Sequence, residues 1–194
     1  MKAEATLDLL HRIGHLKNLP RTGWRLRGIT NAESVADHAF RVAFLAMMLA
    51  DGLNEKGRTV DVERVMRLAL LHDLGEAEIG DIPRTARPYL PADVKEQAEG
   101  GAVKTLAGPL GSVGKSYAAL WDELTARRSI ESRLLWAADG LEMMIQAWEY
   151  ERAGFRGLDD FWQNHGDGDH FAEFPQARRI MDLLVSSRSA GGES

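Results

Sequence analysis

The chain has 194 residues, of which 44% are hydrophobic and 27% are charged, and its formal net charge is −5. This composition is typical of one soluble globular domain, and the modest negative charge argues against a nucleic-acid polymer or an anionic membrane as partner. The absence of cysteine excludes disulfides, thiolate nucleophiles and Cys-type zinc sites, so any metal must be bound by His, Asp or Glu. The charged N-terminal segment does not resemble a signal peptide, and no segment has the roughly 20 apolar residues of a membrane helix. A cytoplasmic protein is therefore expected.

Apolar residues at helical spacing predict an all-α fold, in which no segment has the two-residue period of a strand. The predicted helices cover residues 5–16, 34–51, 61–77, 91–107, 115–127, 129–153 and 174–187. Ser34, followed three residues later by Asp37, resembles a capping box and predicts that the second helix begins near Ser34. We expect one domain over residues 1–187, with a core at about 15–185, and a flexible C-terminal tail at 188–194.

Four polar residues lie on helix faces that are otherwise apolar, where an unpaired charge is costly. His38 shares a face with Val35, the pair His72 and Asp73 directly follows "LALL", and Asp139 lies within "LLWAADGLEMM". Each has an ordinary structural interpretation, respectively a core histidine, a helix-end pair and a buried ion pair. Together they supply two imidazoles and two carboxylates from three helices. This set predicts a site for one divalent metal ion (Co, Mn, Zn, Ni, Fe or Mg) with open positions for water and a substrate oxygen.

The order H…HD…D resembles the signature of the HD-domain metal-dependent phosphohydrolases. Three longer segments resemble the 5′-deoxynucleotidase branch of that family, namely "LKNLPRTGWRLRGITNAESVADHAFRVA" (16–43), "RLALLHDLGEAEIGDIP" (67–83) and "ADGLEMMIQAWEYE" (138–151). The resemblance implies a single HD-domain helical bundle with the metal between its helices. It further implies release of phosphate from deoxyribonucleoside 5′-monophosphates, one divalent metal ion and a homodimer.

The resemblance also implies roles for individual residues. The implied metal ligands are His38, His72, Asp73 and Asp139. Glu76 matches the catalytic glutamate, which holds or deprotonates the attacking water, and Asp81 matches a second catalytic residue that positions the sugar or the water. The implied substrate-binding residues are Arg21, Trp24, His38, Asp81, Ile82, Pro83, Arg84 and Asp139.

Two positions near the implied substrate depart from one form of the family pattern. Arg21 matches an arginine that orients the phosphate, and Trp24 matches a tryptophan that packs near the sugar and disfavours a 2′-hydroxyl. These two residues are adjacent in some members, whereas "RTGW" places two residues between them. Arg84 stands where a smaller polar residue can occur. A less strict preference for deoxyribose is therefore expected.

Other acidic and histidine-containing patterns are interpreted without catalysis. His11 and His15 have HxxxH spacing but lack the glutamate of a zincin, so we interpret them as part of a helix face. The segment "NHGDGDHF" (164–171) is expected to be a loop. Glu78 is expected to be solvated, and Glu142 is either a partner of a metal ligand or a surface acid.

Two alternative functions remain open at the level of sequence. The first is another HD-type activity, such as a phosphodiesterase or a nucleotide pyrophosphohydrolase that acts on larger substrates. The second is a non-catalytic regulatory module that binds a nucleotide and in which the metal is structural. Acids beside the ligands, such as Glu76 and Asp81, argue against the second alternative, because a structural metal site does not require them.

Overall fold

A computed structural model describes residues 2–166 and 171–191, and within these ranges the chain is helical. The helices are α1 (Ala3–Ile13), α2 (Thr22–Arg25), α3 (Val35–Asn54), α4 (Val62–Leu71), α5 (Glu76–Ile79), α6 (Val94–Ala107), α7 (Ser112–Ala126), α8 (Ile130–Arg152), α9 (Asp159–Gly166) and α10 (Pro175–Gly191). Shorter 3-10 turns cover Gly14–Lys17, Arg84–Tyr89 and Gly108–Leu110. The described residues contain one isolated β-bridge and no strand, so the predicted all-α class is confirmed.

The sequence predicts one continuous helix over 61–77, and this prediction is wrong because the structure contains two separate helices there. Helix α4 ends at Leu71, the chain turns over residues 72–75, and the short helix α5 begins at Glu76. The turn is closed by backbone hydrogen bonds from Leu74 N to Leu71 O and from Glu76 N to Asp73 O, both 3.1 Å long. Periodicity did not reveal the break because the residues on both sides of it retain a helical pattern.

The C-terminal part of the chain is more helical than expected. Helix α10 continues to Gly191 and so includes the first four residues of the predicted tail, and residues 192–194 lie outside the described part of the chain. Helix α9 includes residues 164–166, which were expected to be a loop. Asp167, Asp169 and His170 of the same segment lie outside the described residues.

Three helices form the centre of the fold because each has a continuous apolar face. Helix α3 packs against α4 and α8, and α4 also packs against α8. Val42 and Leu49 on α3, Leu68 on α4, and Leu135 and Leu141 on α8 are at most 2% exposed. Burial of such side chains is the main favourable contribution to folding. Among the described helices none is long and apolar enough to span a bilayer, and the cytoplasmic location stays a prediction.

The start of α3 is set by the predicted capping box. Ser34 Oγ accepts a hydrogen bond from Asp37 N at 3.1 Å, and Asp37 Oδ2 accepts one from Ser34 N at 2.9 Å. The neighbouring backbone is tied to the segment before α2, because Arg21 N donates to Glu33 O at 2.9 Å. The cap therefore places His38, in the first turns of α3, close to the segment that carries Arg21.

We predict that Ser34→Ala lowers the free energy of unfolding by about 1 kcal/mol, because the variant loses the acceptor for an N-terminal amide. Urea unfolding followed by circular dichroism measures the change. Ser116→Ala is the control, since the Ser116 hydroxyl is exposed and bonds only to carbonyls within α7. The control is expected to change the free energy by less than about 0.5 kcal/mol. Equal effects of the two substitutions would show that the cap does not stabilise α3.

Candidate functional site

The four predicted metal ligands meet between three elements of the core. His38 comes from α3, His72 and Asp73 from the turn after α4, and Asp139 from the middle of α8. His38 Nε2 lies 3.1 Å from Asp139 Oδ1 and 3.7 Å from Asp73 Oδ2. His72 Nε2 lies 3.2 Å from the same Asp73 oxygen. The fold thus brings together residues that are up to 101 positions apart in the sequence.

The turn after α4 sets the direction of the His72 ring. His72 Nδ1 lies 2.6 Å from the carbonyl oxygen of Ala69, and because a carbonyl only accepts, this nitrogen must carry the proton. Nε2 of the neutral ring is then the free acceptor. His72 Nε2 is buried, and although it is close to Asp73 Oδ2, the geometry is not that of a hydrogen bond. A buried nitrogen without a hydrogen-bond partner is unusual and points to a missing ligand.

The donor set fits a divalent metal ion. One ligand atom each from His38, His72 and Asp139 lies within 4.8 Å of the other two, and Asp73 Oδ2 is close to both imidazoles. Nitrogen and carboxylate oxygen donors without sulfur are ligands that Mn, Fe, Co, Ni and Zn accept. The free Nε2 of His72 is the atom that such an ion would coordinate.

His38 is supported from behind by a fully buried carboxylate. Its Nδ1 hydrogen-bonds to Glu142 Oε2, and Glu142 Oε1 accepts from Arg41 Nε at 2.7 Å. Arg41 is itself held by Glu149 and Gln146 on the next turns of α8. Glu142 is therefore a partner of a predicted metal ligand, and its interpretation as a surface acid is wrong. A carboxylate on the distal nitrogen fixes the orientation and tautomer of a metal-binding histidine.

The acidic side chains around His38 create a negative electrostatic potential, which stabilises positive charge at this position. Burial and the charge of Arg21 lower the pKa of His38, but the hydrogen bonds to Asp139 and Glu142 outweigh both and raise the pKa to about 10. The same negative potential favours a bound cation.

Arg21 and Asp73 form an ion pair at the edge of the cluster. Arg21 Nη1 lies 3.1 Å from Asp73 Oδ2, and both side chains are less than one-fifth exposed. Burial alone would raise the pKa of Asp73, but its contacts with His72 and Arg21 outweigh burial and hold the pKa well below its usual range. Asp73 is therefore an anionic carboxylate, as a metal ligand must be.

Glu76 is a buried acid in the first turn of α5, directly after the turn that carries His72 and Asp73. It is 1% exposed, its Oε1 lies 3.5 Å from Lys95 Nζ, and its Oε2 is buried without a hydrogen-bond partner. Burial, and then the charges of Asp73 and Asp81, raise the pKa of Glu76 to about 9, while Lys95 lowers it. Nearby positive charge therefore decides whether this carboxyl group is ionised.

A cavity of about 900 Å³ opens beside the cluster. The predicted site residues that line it are Arg21, Trp24, His72, Asp73, Glu76, Asp81, Ile82, Pro83, Arg84 and Asp139. His38 is fully buried and does not line the cavity. Its position therefore does not support the prediction that it contacts the substrate directly. All the other predicted site residues share one cavity.

The cavity is also lined by residues that the sequence did not predict as part of the site. Trp136 and Met143 lie on α8, three residues before and four residues after Asp139, and Phe161 comes from α9. Lys95 and Glu99 come from α6. The spacing of Trp136 and Met143 from Asp139 on one helix could have predicted that they line the same site. No local pattern in the sequence links α6 or α9 to the predicted metal ligands.

Trp24 is mainly a core residue. It is 1% exposed, stacks on Phe161 with ring centroids 4.2 Å apart, and meets Tyr150 edge-on at 5.3 Å. Its indole N–H donates to Glu33 Oε1 at 2.9 Å. Only a small part of Trp24 therefore faces the cavity, which limits how far it can discriminate between sugars.

Asp81 is tied to the segment that carries Arg21. Its Oδ2 accepts from Thr22 N at 2.5 Å, and its backbone oxygen accepts from Thr22 Oγ1 at 2.9 Å. These bonds join the "RTGW" and "GDIP" segments into one rim of the cavity. One oxygen of Asp81 thus has a structural partner, and the other is left for a ligand.

The histidines and the glutamate that are predicted to have no catalytic role lie outside the cavity. His11 and His15 are exposed and meet each other edge-on, with ring centroids 5.8 Å apart. Glu78 is exposed and pairs with Arg12 at 2.8 Å. None of the three lines the cavity.

Comparisons with known proteins agree with this geometry. A sequence model of the HD domain matches residues 13–168. The 5′-deoxynucleotidase HDDC2 of Homo sapiens is 37% identical over 191 residues, which cover 96% of this chain and 88% of the human protein. A solved structure of a conserved hypothetical protein from Pyrococcus furiosus has a TM-score of 0.78 and 39% identity, covering 94% of this chain and 99% of that one.

A second solved structure, described as a predicted metal-dependent phosphohydrolase from Magnetospirillum magnetotacticum, has a TM-score of 0.65 and 27% identity. It covers 94% of this chain and 92% of its own. Because the domain model spans most of the sequence and the human relative aligns with nearly all of it, the chain belongs to the HD domain family.

Proposed function

We propose that this protein is a metal-dependent phosphomonoesterase that hydrolyses deoxyribonucleoside and ribonucleoside 5′-monophosphates to nucleoside and phosphate. The observation that carries the proposal is the convergence of His72, Asp73, Asp139, Glu76 and Arg21 on one cavity. Relatives named 5′-deoxynucleotidase, with 37% identity in the human case, support the substrate class.

In this proposal the metal ligands are His38, His72, Asp73 and Asp139. The ion is one of Co, Mn, Zn, Ni, Fe or Mg, and the donor set alone does not select among them. When bound, such an ion polarises a phosphate oxygen and lowers the pKa of a coordinated water. All further steps depend on residues of the chain.

Arg21 binds the phosphate. Its guanidinium directs one N–H to Asp73, and the other donors remain for the phosphoryl oxygens. A guanidinium matches the geometry of two phosphate oxygens at once, and its positive charge stabilises the charge on these oxygens in the transition state. Because Arg21 also contacts a predicted metal ligand, it fixes the phosphate relative to the ligand cluster.

Glu76 accepts the proton of the attacking water once the positive charge of Lys95, Arg21 and a bound metal ion keeps its carboxyl group ionised. Its Oε2 has no other partner, and the residue lines the cavity. The water oxygen forms a bond to phosphorus as the bond to the 5′-oxygen breaks, and the leaving oxygen takes up a proton from Asp81 or from solvent. General-base catalysis of this kind contributes on the order of 10²- to 10⁴-fold to the rate.

Discrimination against a 2′-hydroxyl is weak in this proposal. Trp24 is separated from Arg21 by two residues and packs chiefly against Phe161 and Tyr150. Ile82, Pro83 and Arg84 lie along the nucleotide on the same rim as Asp81.

The cavity volume keeps one other HD-type activity as a second candidate. About 900 Å³ is near the upper end of the roughly 300–1,000 Å³ range of small-molecule sites, so a phosphodiester or a nucleoside triphosphate also fits. The products distinguish the candidates, because a phosphomonoesterase releases inorganic phosphate whereas a pyrophosphohydrolase releases pyrophosphate.

We predict metal-dependent phosphate release from paired ribonucleoside and deoxyribonucleoside 5′-monophosphates. A colorimetric phosphate assay with Co, Mn, Zn, Ni, Fe and Mg tests the reaction, the sugar preference and the metal together. His72→Ala and Asp73→Asn each remove a proposed ligand and are expected to reduce the rate to below about 1% of the wild-type rate.

The control for this experiment is His11→Ala, an exposed histidine outside the cavity, which is expected to retain the wild-type rate. Circular dichroism verifies that all variants are folded. Full activity of either ligand variant would refute the assignment of the site. Nucleotide binding without turnover with every metal would instead support the regulatory alternative.

We predict that Glu142→Gln weakens metal binding by about 10- to 100-fold, because His38 loses its anionic partner. Isothermal titration with Mn²⁺ measures the affinity. Glu149→Gln is the matched control, since Glu149 binds the other end of Arg41 and is 43% exposed at its side chain. If both variants bind Mn²⁺ as tightly as the wild type, Glu142 does not support a metal ligand.

A homodimer is the last part of the proposal. Phe40, Phe44 and Met48 are spaced by four residues along α3 and are 72%, 52% and 50% exposed. An apolar stripe of this kind on one helix can pack against its own copy across a two-fold axis.

We predict that light scattering of the wild type gives twice the 21.5 kDa mass of one chain, and that Phe44→Glu gives the single-chain mass. Leu183→Glu is the control, since Leu183 is 66% exposed on α10. A monomeric wild type, or a dimeric Phe44→Glu variant, would contradict this interface.

A further inference from the structure

Lys95 joins the wall of the cavity from a helix that contributes none of the proposed metal ligands. Its Nζ lies 3.5 Å from Glu76 Oε1 and 3.0 Å from Glu99 Oε1. The side chains of Glu76 and Glu99 are 1% and 12% exposed, and that of Lys95 is 25% exposed. One ammonium group therefore bridges two largely buried carboxylates.

The close approach of α6 to the turn after α4 depends on Gly75. A Cβ atom on Gly75 would lie 2.8 Å from the backbone oxygen of Glu99 and 2.9 Å from its Cα, distances that side-chain carbon atoms do not adopt. Lys95 and Glu99 are four residues apart and therefore share the face of α6 that meets this turn. The glycine thus allows the backbone of α6 to approach until Lys95 reaches Glu76.

The contact with Lys95 makes the two oxygens of Glu76 unequal. Oε1 has the ammonium group as its neighbour, whereas Oε2 is buried and has no hydrogen-bond partner. A carboxylate held at one oxygen cannot rotate freely, so its second oxygen has a fixed position. A fixed acceptor costs no reorganisation when the reaction begins.

We propose that Lys95 is a positioning residue for Glu76, which holds Oε1 so that Oε2 is the oxygen that accepts the proton of the attacking water. This inference rests on the proposed function, because it requires Glu76 to act on the water. Glu99 completes the arrangement by orienting Lys95 through the shorter of its two contacts.

Lys95→Met tests the role of the ammonium group, because it keeps the length of the side chain and removes the charge. We expect kcat for nucleoside monophosphate hydrolysis to fall about 10- to 100-fold and KM to change by less than about twofold, because in this proposal Lys95 acts through Glu76 and not on the substrate. Lys95→Arg is expected to restore most of kcat. Lys104→Met is the matched control on the same helix, because the Lys104 pair with Asp122 at 3.6 Å is on the surface, and it is expected to leave kcat unchanged.

A double-mutant cycle separates positioning from a purely structural role. In a Glu76→Gln background, Lys95→Met is expected to cause no further loss of kcat, because the group that it positions is already changed. If Lys95 only stabilised the fold, the substitution would lower activity by the same factor in both backgrounds. Lys95→Met/Glu99→Gln removes the ion pair as a unit and serves as the folded variant if a buried, unpaired Glu99 destabilises Lys95→Met.

The outcomes distinguish this inference from the proposed function. If the wild-type protein releases no phosphate from any nucleotide with any metal, the proposed function fails and the role of Lys95 fails with it. If the wild type is active and Lys95→Met has the same kcat, only the positioning role is refuted. Equal losses in the wild-type and Glu76→Gln backgrounds also refute it.

Discussion

The structure depends on balancing the charges that are buried between α3, α4 and α8. His38 is fully buried, and Asp73 and Asp139 are largely buried at the wall of the cavity, where an unpaired charge costs several kcal/mol, comparable to the net stability of a domain. Pairing of oppositely charged side chains offsets this cost, since Arg21 contacts Asp73 and Glu142 contacts His38. His72 Nε2 still has no hydrogen-bond partner, so the cluster can accept one more ligand at this atom.

Two sets of contacts, one on the core side and one on the cavity side, orient the residues of this site, and they come from different parts of the chain. On the core side, Glu142 and Arg41 connect α8 to α3 and fix His38. On the cavity side, Lys95 connects α6 to Glu76, which is not one of the proposed ligands. The proposed metal ligand His38 and the proposed base Glu76 thus have independent supports. Substitutions in the two sets of contacts should therefore affect metal affinity and kcat separately.

The sequence predicted the features that depend on local patterns. Apolar spacing predicted six of the helices and the position of α4, and Ser34 and Asp37 predicted the start of α3. Polar side chains on apolar faces predicted four residues that the fold brings together. The break at residues 72–75 was missed because its closing hydrogen bonds leave the periodicity intact. Lys95 was missed because its contact with Glu76 depends on how closely α6 packs, which a single sequence does not encode in any local pattern.

The wall of the cavity has two parts that are under different structural constraints. The proposed ligands lie on or directly after long, buried helices, where a substitution would disturb the core. The rim from Ile82 to Val94 includes a 3-10 turn and is mostly half-buried or exposed, so its side chains, Arg84 among them, can change without unfolding the protein. In the proposed function, the chemistry and the choice of substrate therefore depend on segments under different structural constraints. Because Asp81 is hydrogen-bonded to Thr22 at the start of this rim, the rim nevertheless keeps a fixed position relative to Arg21 and hence to the phosphate.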